Sequence, residues 1–199
     1  MAGVLEGFDA LAFSLHGRRL CLDFTATLSA RNGIAPIERL RSPDDLARWL
    51  GAVGSACHGG ASESHLASAR RLREGIRELA DAVIAKRPLP FMALEVVNHW
   101  AGLPVATPQL TPAGTAVLRA DDAVAAALSA IARDAVQVLG GRDRGRLKEC
   151  AAPDCALLFV DDSRAGRRRW CSMEACGNRH KTRTYRRRRK GPLSDRADR

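Results

Sequence analysis

The first two thirds of the chain repeat apolar residues three and four positions apart, the spacing of helices that bury one face. Leu72, Ile76, Leu79 and Val83 give the clearest example and predict a helix over about residues 62–86. Charged residues fill the positions between them. This pattern predicts a helix-rich N-terminal part with a core along such stripes.

Local signals mark where other helices begin and end. Residues 42–45 read Ser-Pro-Asp-Asp, in which serine is a cap, proline suits the first helical position and the acids favour the helix dipole. That helix is expected to end near 51–54. Pro90 opens another helix, and Asp121 is the predicted cap of a long helix that stops at the glycine pair 140–141.

Two short hairpins complete this part. Residues 11–28 alternate apolar and polar side chains around a turn at 16–18, which predicts a β-hairpin. A second hairpin is predicted over 109–119, turning at 112–114. The predicted fold class of residues 1–141 is therefore mainly α with small β-hairpins. We expect these residues alone to form a soluble folded domain without affinity for nucleic acid.

The pattern changes after Gly141, where the chain becomes polar and basic. Residues 157–160 predict a strand, and 167–170 predict the strand that returns beside it. Ser172 is suited to cap a final helix, which would place Cys176 at the start of that helix. This order of elements is typical of a treble-clef or ribbon-like zinc finger.

Four cysteines in this segment form two pairs of equal spacing. Four residues separate Cys150 from Cys155 and Cys171 from Cys176, and fifteen residues lie between the pairs. Four thiolates without a histidine favour a closed structural Zn²⁺ site, because no coordination position is left for water. Iron accepts the same ligands, and four buried apolar cysteines are the simplest alternative, which the paired spacing disfavours. A segment this small has too little apolar core to fold without a bound metal ion. Cys171→Ala should therefore unfold it while the first domain stays folded.

Positive charge is confined to the last third of the chain. Residues 1–141 contain 14 basic and 14 acidic residues, whereas residues 142–199 contain 18 basic and 8 acidic ones, so the net charge of +10 lies there. Such asymmetry indicates a polyanionic partner for this part alone. We divide it into a finger over 142–190 and a flexible tail over 191–199.

The final helix and the turn before it form the predicted nucleic-acid surface. A lone basic run is usually a solvated tail, but this one continues a helix that the metal anchors. Duplex DNA is favoured over single strands, because Tyr185 is the one tyrosine in the chain. Asn178 is expected to read an adenine or to take a capping role. The predicted contact residues are Arg164, Arg167, Arg168, Asn178, Arg179, Lys181, Arg183, Arg186 and Arg187.

A ligand site in the N-terminal part is a weaker hypothesis. Asp23 lies among apolar residues and needs a partner such as Arg31 or a backbone donor, so a structural role is favoured. Alternatively, Asp23, Arg31 and Asn98 line a pocket for a small-molecule effector. A homodimer face is an equally ranked role for this domain. No catalytic triad, phosphate-binding glycine loop or paired-carboxylate site points to an enzyme.

The chain shows no signal for a membrane. Residues 1–13 have two acids and no basic start, unlike a signal peptide. The longest apolar run, about 123–132, is too short and too rich in alanine to span a bilayer. We therefore expect a cytoplasmic protein in a reducing compartment, with Cys21 and Cys57 as free thiols.

The finger region resembles a known family. Residues 176–179 read Cys-Gly-Asn-Arg, Lys181 follows, and residues 168–173 read Arg-Arg-Trp-Cys-Ser-Met. This is similar to the CGNR zinc finger, which in its family follows a domain called ABATE found in stress-induced transcription regulators. The first domain is similar as well, for example in Leu-Asp-Phe at 22–24 and Ile-Ala-Arg-Asp-Ala at 131–135.

The resemblance and the residues together predict a bacterial-type transcription regulator. Its N-terminal domain would sense a ligand or dimerise, and its zinc finger would bind duplex DNA. An RNA-binding protein that uses the same finger is the first alternative. A small-molecule enzyme or binding protein that uses an N-terminal pocket is the second.

Overall fold

The computed structural model describes residues 13–33, 35–55 and 60–189, and the predicted tail and Cys57 lie outside them. The described chain is about half helical, with three two-stranded antiparallel sheets. A 3₁₀ turn over Arg144–Arg146 precedes β5, and a π-helical turn over Met173–Gly177 precedes α6. The other elements are α1 (Leu20–Thr25), β1 (Leu28–Ser29), β2 (Ile37–Glu38), α2 (Pro43–Ala52), α3 (Glu63–Ile84), α4 (Phe91–Gly102), β3 (Thr107–Leu110), β4 (Ala116–Arg119), α5 (Ala123–Gly140), β5 (Leu147–Glu149), β6 (Leu158–Val160) and α6 (Asn178–Arg189).

The core is built around α3, which packs against α1, α2, α4 and α5. Leu72 and Ile76 of α3 are fully buried, as their spacing predicts. Ser62 caps α3 through a reciprocal pair of hydrogen bonds with His65. The predicted helix over 62–86 is therefore confirmed, with its ends set by local capping.

The other predicted helix starts are present with one shift. Ser42 caps α2, where its hydroxyl accepts from the Asp45 amide and the Asp45 carboxylate accepts from the Ser42 amide. Asp122, rather than Asp121, caps α5, because its carboxylate accepts from the Ala125 amide at 2.9 Å. The predicted second hairpin is present as β3 and β4.

Residues 13–28 do not form the predicted hairpin. The segment after the turn is the short helix α1, in which Cys21, Leu22 and Phe24 have no exposed surface. A six-residue helix enclosed between α3 and α5 has no solvent-facing stripe, so apolar spacing does not report its conformation. Residues 11 and 12 lie outside the described chain.

The strand β6 is present as predicted, but its partner is β5 rather than residues 167–170. Residues 167–170 contain no strand, although the Ala151 amide, just after β5, donates to the Arg169 carbonyl at 2.8 Å, and Lys148 of β5 donates to the Arg168 carbonyl at 3.4 Å. A three-residue strand such as β5 is too short for alternation to reveal it.

The β5–β6 hairpin belongs to two environments at once. Leu147, Leu158 and Val160 lie in the same buried cluster as the N-terminal helices. Phe159 lies instead in a second cluster with the four finger cysteines and Ala26. The helical part and the finger are therefore joined by a shared apolar core.

Four arginines of the helical part are held by carboxylates. Arg73 on α3 is 3% exposed and binds Glu38 with both terminal nitrogens at 2.6 Å. Arg19 similarly bridges Asp134 and Asp143. The other two are Arg31, which binds Glu74, and Arg77, which binds Asp81 and Glu149.

Among the described helices, α5 is the single one long and apolar enough to cross a membrane. More than half of it is buried against the rest of the protein. Its Asp134 carboxylate binds Arg19 at 2.6 Å. These contacts are those of a helix packed in a protein core.

Candidate metal centre

The four predicted ligands converge on one point. Their sulfurs all lie within 4.8 Å of one another, and the Cys171 sulfur is 3.7 Å from that of Cys155 and 3.6 Å from that of Cys176. Four sulfurs at about 2.3 Å from one tetrahedral ion would be roughly 3.8 Å apart. A disulfide would need about 2.05 Å. The spacing therefore fits a metal ion and not a disulfide.

The first knuckle is the turn from Cys150 to Cys155, which follows β5 directly. The Cys150 amide donates to the Leu157 carbonyl at 2.9 Å, and the Cys155 amide donates to the Ala152 carbonyl at 3.0 Å. These backbone bonds close the turn and aim both thiols to the same side.

The second knuckle runs from Cys171 to Cys176. Ser172 caps its π-helical turn, as predicted, by accepting from the Ala175 amide at 3.2 Å. The Cys171 amide donates to the Cys150 sulfur at 3.4 Å, which joins the two knuckles. Cys176 lies two residues before the first residue of α6, so the metal centre fixes where that helix starts.

The protonation chemistry of the cluster also fits a metal. Contact with the Cys150 sulfur raises the pKa of Cys155, and contacts with the Cys150 and Cys155 sulfurs raise the pKa of Cys171. Neighbouring negative charges repel one another, so four ionised sulfurs this close together need a cation among them. A divalent ion supplies that charge and deprotonates its thiol ligands. The cluster therefore points to a bound metal ion, for which zinc is typical.

Two arginines support the cysteines from outside. Arg179 donates to the Cys176 sulfur at 3.2 Å and also binds Asp154 at 3.3 Å. Arg168 donates to the carbonyls of Trp170, at 2.8 Å, and of Cys171. Such second-layer contacts orient metal ligands and set their basicity.

Arg168 is the more deeply engaged of these two predicted nucleic-acid residues. It is half-buried, and its guanidinium lies 4.9 Å from the centre of the Phe159 ring as well as on the knuckle carbonyls. Its donors are occupied within the finger, so its first role is structural. Its sequence neighbours Arg167 and Arg169 are exposed.

Asp161 organises the loop between β6 and the second knuckle. Its carboxylate has no exposed surface and accepts from Lys148, from the amide and hydroxyl of Ser163, and from the Arg168 amide. Burial raises the pKa of Asp161, but the Lys148 ammonium and the other donors outweigh it and leave this pKa below its ordinary value. The loop is therefore held by an ionised carboxylate at neutral pH.

The predicted contact residues on α6 point to solvent. Asn178, Arg179, Lys181 and Arg183 are exposed on its first turns. A groove of about 500 Å³ between this face and the first knuckle includes Arg179 and Arg183 in its lining. The side chains of Arg186 and Arg187 lie outside the described part of the chain. Arg164 and Arg167 are exposed on the loop after β6.

The three residues of the hypothetical ligand pocket have different environments. The Asp23 carboxylate accepts from the Gly17 amide at 2.7 Å, and Arg31 binds Glu74 at 2.7 Å. Asn98 is exposed on α4. Among described residues, no hydrogen bond or ion pair joins any two of the three. The backbone donor expected for Asp23 is thus Gly17, and the shared pocket stays a prediction.

Sequence reasoning missed two buried charged residues: Arg77, which connects α3 to the finger, and Asp161, which orders a loop within the finger. Arg77 and Asp161 look like ordinary surface charges in the sequence, where Arg77 follows the apolar Ile76 of α3 and Asp161 precedes another aspartate. Both are at least nine-tenths buried. The sequence does not reveal their burial, because Arg77 binds the Ala156 carbonyl 79 positions away and Asp161 binds Lys148 13 positions away.

The fold and site define a protein with a helical domain fused to a basic, four-cysteine finger. Residues 18–142 match the ABATE family, described as a putative stress-induced transcription regulator, and residues 146–189 match the CGNR zinc finger. The chain therefore belongs to the ABATE family, with a CGNR zinc finger at its C-terminal end. Neither family is an enzyme class. No curated protein matches the chain.

Proposed function

We propose that this protein is a cytoplasmic transcription regulator that binds duplex DNA through its zinc-loaded finger. The main support is the junction between Cys176 and α6, where a metal ligand is followed at once by an exposed basic helix. Arg179 bonds the Cys176 sulfur while part of its side chain faces solvent. Metal binding would therefore fix the helix that presents the positive charge.

A second basic surface lies beside the β5–β6 hairpin. Arg142, Arg144 and Arg146 are exposed before β5, and the Arg146 carbonyl accepts from the Asp161 amide at the start of the loop that carries Arg164. We add these three arginines to the proposed phosphate contacts.

The acids near this surface are already neutralised. Asp143 binds Arg19, Asp161 binds Lys148, and Asp162 binds Arg18 and Arg168. Among the described residues, none of the five exposed arginines of this surface has an ion-pair partner. They are Arg142, Arg144, Arg146, Arg164 and Arg167. Their charge is therefore available to phosphates.

The N-terminal domain is proposed to sense a small ligand or to mediate association. A groove of about 870 Å³ lies between the β3–β4 hairpin and the start of α5, with Leu103 and Val105 among its apolar lining and Arg119, Asp121 and Asp122 among its polar lining. This size and mixture suit a small organic molecule with both apolar and polar groups. It is a better candidate for an effector site than the group of Asp23, Arg31 and Asn98.

The test is a salt titration of the full chain on duplex DNA. The isolated finger is unsuitable, because its hairpin packs into the N-terminal core. If about six cations contact phosphates, the slope of log affinity against log salt should be roughly −5. Replacing Arg164, Lys181 and Arg183 together with glutamine should flatten that slope by about three units, because these exposed cations make no contact with the cysteines among the described residues.

The matched control removes the same charge elsewhere. Arg71, Lys86 and Arg87 are exposed on or just after α3, and their replacement by glutamine should leave the slope unchanged. Binding that does not change with salt, or that survives removal of zinc, would contradict the proposal. Preference for duplex RNA in direct competition would favour the RNA-binding alternative.

A further inference from the structure

A buried guanidinium of the N-terminal domain lies against the first knuckle. Arg77 of α3 is 9% exposed, and its three nitrogens donate to three different acceptors. Nε binds Asp81 on the same helix at 2.9 Å. Nη1 donates to the Ala156 carbonyl at 2.6 Å, and Nη2 donates to Glu149.

The last two acceptors flank the metal ligands. Glu149 immediately precedes Cys150, and Ala156 immediately follows Cys155. One rigid guanidinium fork therefore contacts both ends of the knuckle. Because this fork is planar, it constrains the distance between Glu149 and Ala156. A flexible lysine ammonium would not constrain that distance.

The backbone at this contact is unusual. Ala156 has a φ of 56°, in the left-handed region that residues with a Cβ rarely adopt. Its carbonyl direction depends on this conformation, and that carbonyl is the one Arg77 binds. Asn32 adds a second donor to Glu149 at 2.7 Å, so the contact is part of a small network.

We propose that Arg77 is a positioning residue for the metal centre, through which α3 sets the zinc affinity of the finger. Arg77 holds the Cys150–Cys155 turn ready for the ion, and its loss lets the two thiols separate. By reciprocity, bound metal stabilises the contact between α3 and the finger. A ligand that shifted α3 would thereby change metal affinity and the placement of α6. The proposal rests on the zinc site but not on DNA binding.

A simpler reading is that Arg77 only stabilises the fold, and Arg73 separates the two readings. Arg73 lies one turn earlier on α3, is even more buried, and binds Glu38 and Glu74; among the described residues it makes no hydrogen bond or ion pair with the finger. Replacing either arginine by leucine breaks a buried ion pair and lowers stability. Only the change at Arg77 should alter the metal site.

The experiment measures the Zn²⁺ affinity of the full chain by competition with a chromophoric chelator. Arg77→Leu should weaken binding at least tenfold, the usual scale for residues that support metal ligands. Arg73→Leu should stay within about threefold of the unchanged protein despite a comparable loss of thermal stability. Equal weakening by both variants, or no weakening by Arg77→Leu, would overturn the proposal.

Two milder variants cover the case in which Arg77→Leu does not fold. Arg77→Lys keeps the charge but cannot reach both ends of the knuckle, and Glu149→Gln keeps a hydrogen-bond acceptor but removes the charge. Arg77→Lys should weaken zinc binding more than Glu149→Gln does. If the order is reversed, charge rather than the fork geometry is responsible and the proposal fails.

Hydrogen exchange gives a second readout. In the unchanged protein, chelation of zinc should increase amide exchange in α3 around Arg77, and in Arg77→Lys this response should disappear. A response that persists in the variant would contradict the coupling. Absence of stoichiometric zinc in the unchanged protein would instead refute the metal site itself.

Discussion

The helical part contains several arginines that are largely buried and ion-paired, whereas most arginines described in the finger are exposed. In the helical part, Arg19, Arg31, Arg73 and Arg77 are held by carboxylates and pack inside or at the edge of the core. In the finger, exposed side chains such as that of Arg183 have no ion-pair partner among the described residues. A count of arginines therefore says little about a binding surface until their partners are known.

The two regions also differ in what holds them together. The helical part buries large apolar side chains such as Trp49 and Leu128, whereas the finger cluster consists largely of cysteines and small residues around Phe159. The first region is stabilised by apolar burial and the second by its metal ligands. The β5–β6 hairpin is the part that belongs to both.

Loss of the metal should give the largest effect. Cys171→Ser removes one ligand, and structural zinc sites contribute about 10 kcal/mol to folding. We expect the knuckles and α6 to unfold while the β5–β6 hairpin stays packed on α3, because Leu158 is anchored in the shared core. Hydrogen exchange resolved along the chain will show this boundary. The variant Cys21→Ser is the control, because Cys21 lies in the core of the helical part and not in the cysteine cluster, and a protein that unfolds equally in both would contradict the division.

Truncation after residue 141 tests the shared core. Removing Leu147, Leu158 and Val160 exposes the surface that they cover, at about 2 kcal/mol for each side chain. The fragment 1–141 should therefore be much less stable than the full chain, contrary to the expectation from sequence that it folds independently. A longer fragment that ends at residue 162 restores the hairpin and is the matched comparison. Equal urea midpoints for the two fragments would show that the hairpin contributes nothing.

The comparison is tested directly by replacing one buried, ion-paired arginine of the helical part and one exposed arginine of the finger. Arg73→Ala leaves Glu38 and Glu74 without their buried partner, so the free energy of unfolding should fall by about 3 kcal/mol. Arg183→Ala is exposed and should change it by less than about 0.5 kcal/mol. Chemical denaturation measures both. For DNA affinity we expect the opposite ranking, in which Arg183→Ala has the larger effect. This affinity is measured without denaturant, at a temperature where both variants are folded.

The smallest effect is expected at Asp23 and depends on pH. Burial raises the pKa of Asp23 to about 6 from an ordinary value of 3.8, despite the hydrogen bond from Gly17 that lowers it. The folded state therefore binds more protons than the unfolded state between these values, and this group makes stability fall as pH rises from about 4 to 6.

Asp23→Asn keeps an acceptor for the Gly17 amide but removes the buried charge. At pH 7 it should raise the free energy of unfolding by about 1 kcal/mol, less than the full pKa difference implies because the side chain is partly exposed and screened by solvent, with no gain at pH 4. The exposed Glu78→Gln on α3 is the control and should show neither effect. A gain that is the same at both pH values would mean that the charge of Asp23 is not responsible.

Local chemistry was enough to predict several features from the sequence. Helices α2 and α3 begin at capping serines that act within three residues, and both caps are present. The cysteine spacing predicted a metal site because two short turns bring four thiols together almost regardless of the rest of the fold. The basic final helix was also visible, since its charge is a property of composition.

The tertiary structure decided what depends on distant partners. The Leu20–Thr25 segment is a helix that the sequence did not predict. Because this segment is enclosed by α3 and α5, it has no polar, solvent-facing side from which a helical period could be recognised. The tertiary structure paired β6 with β5, and it assigned Arg168 to the knuckle instead of to solvent. It also brought Arg77 to an acceptor 79 positions away. Electrostatic pairing and burial act through space, and only the folded chain sets those distances.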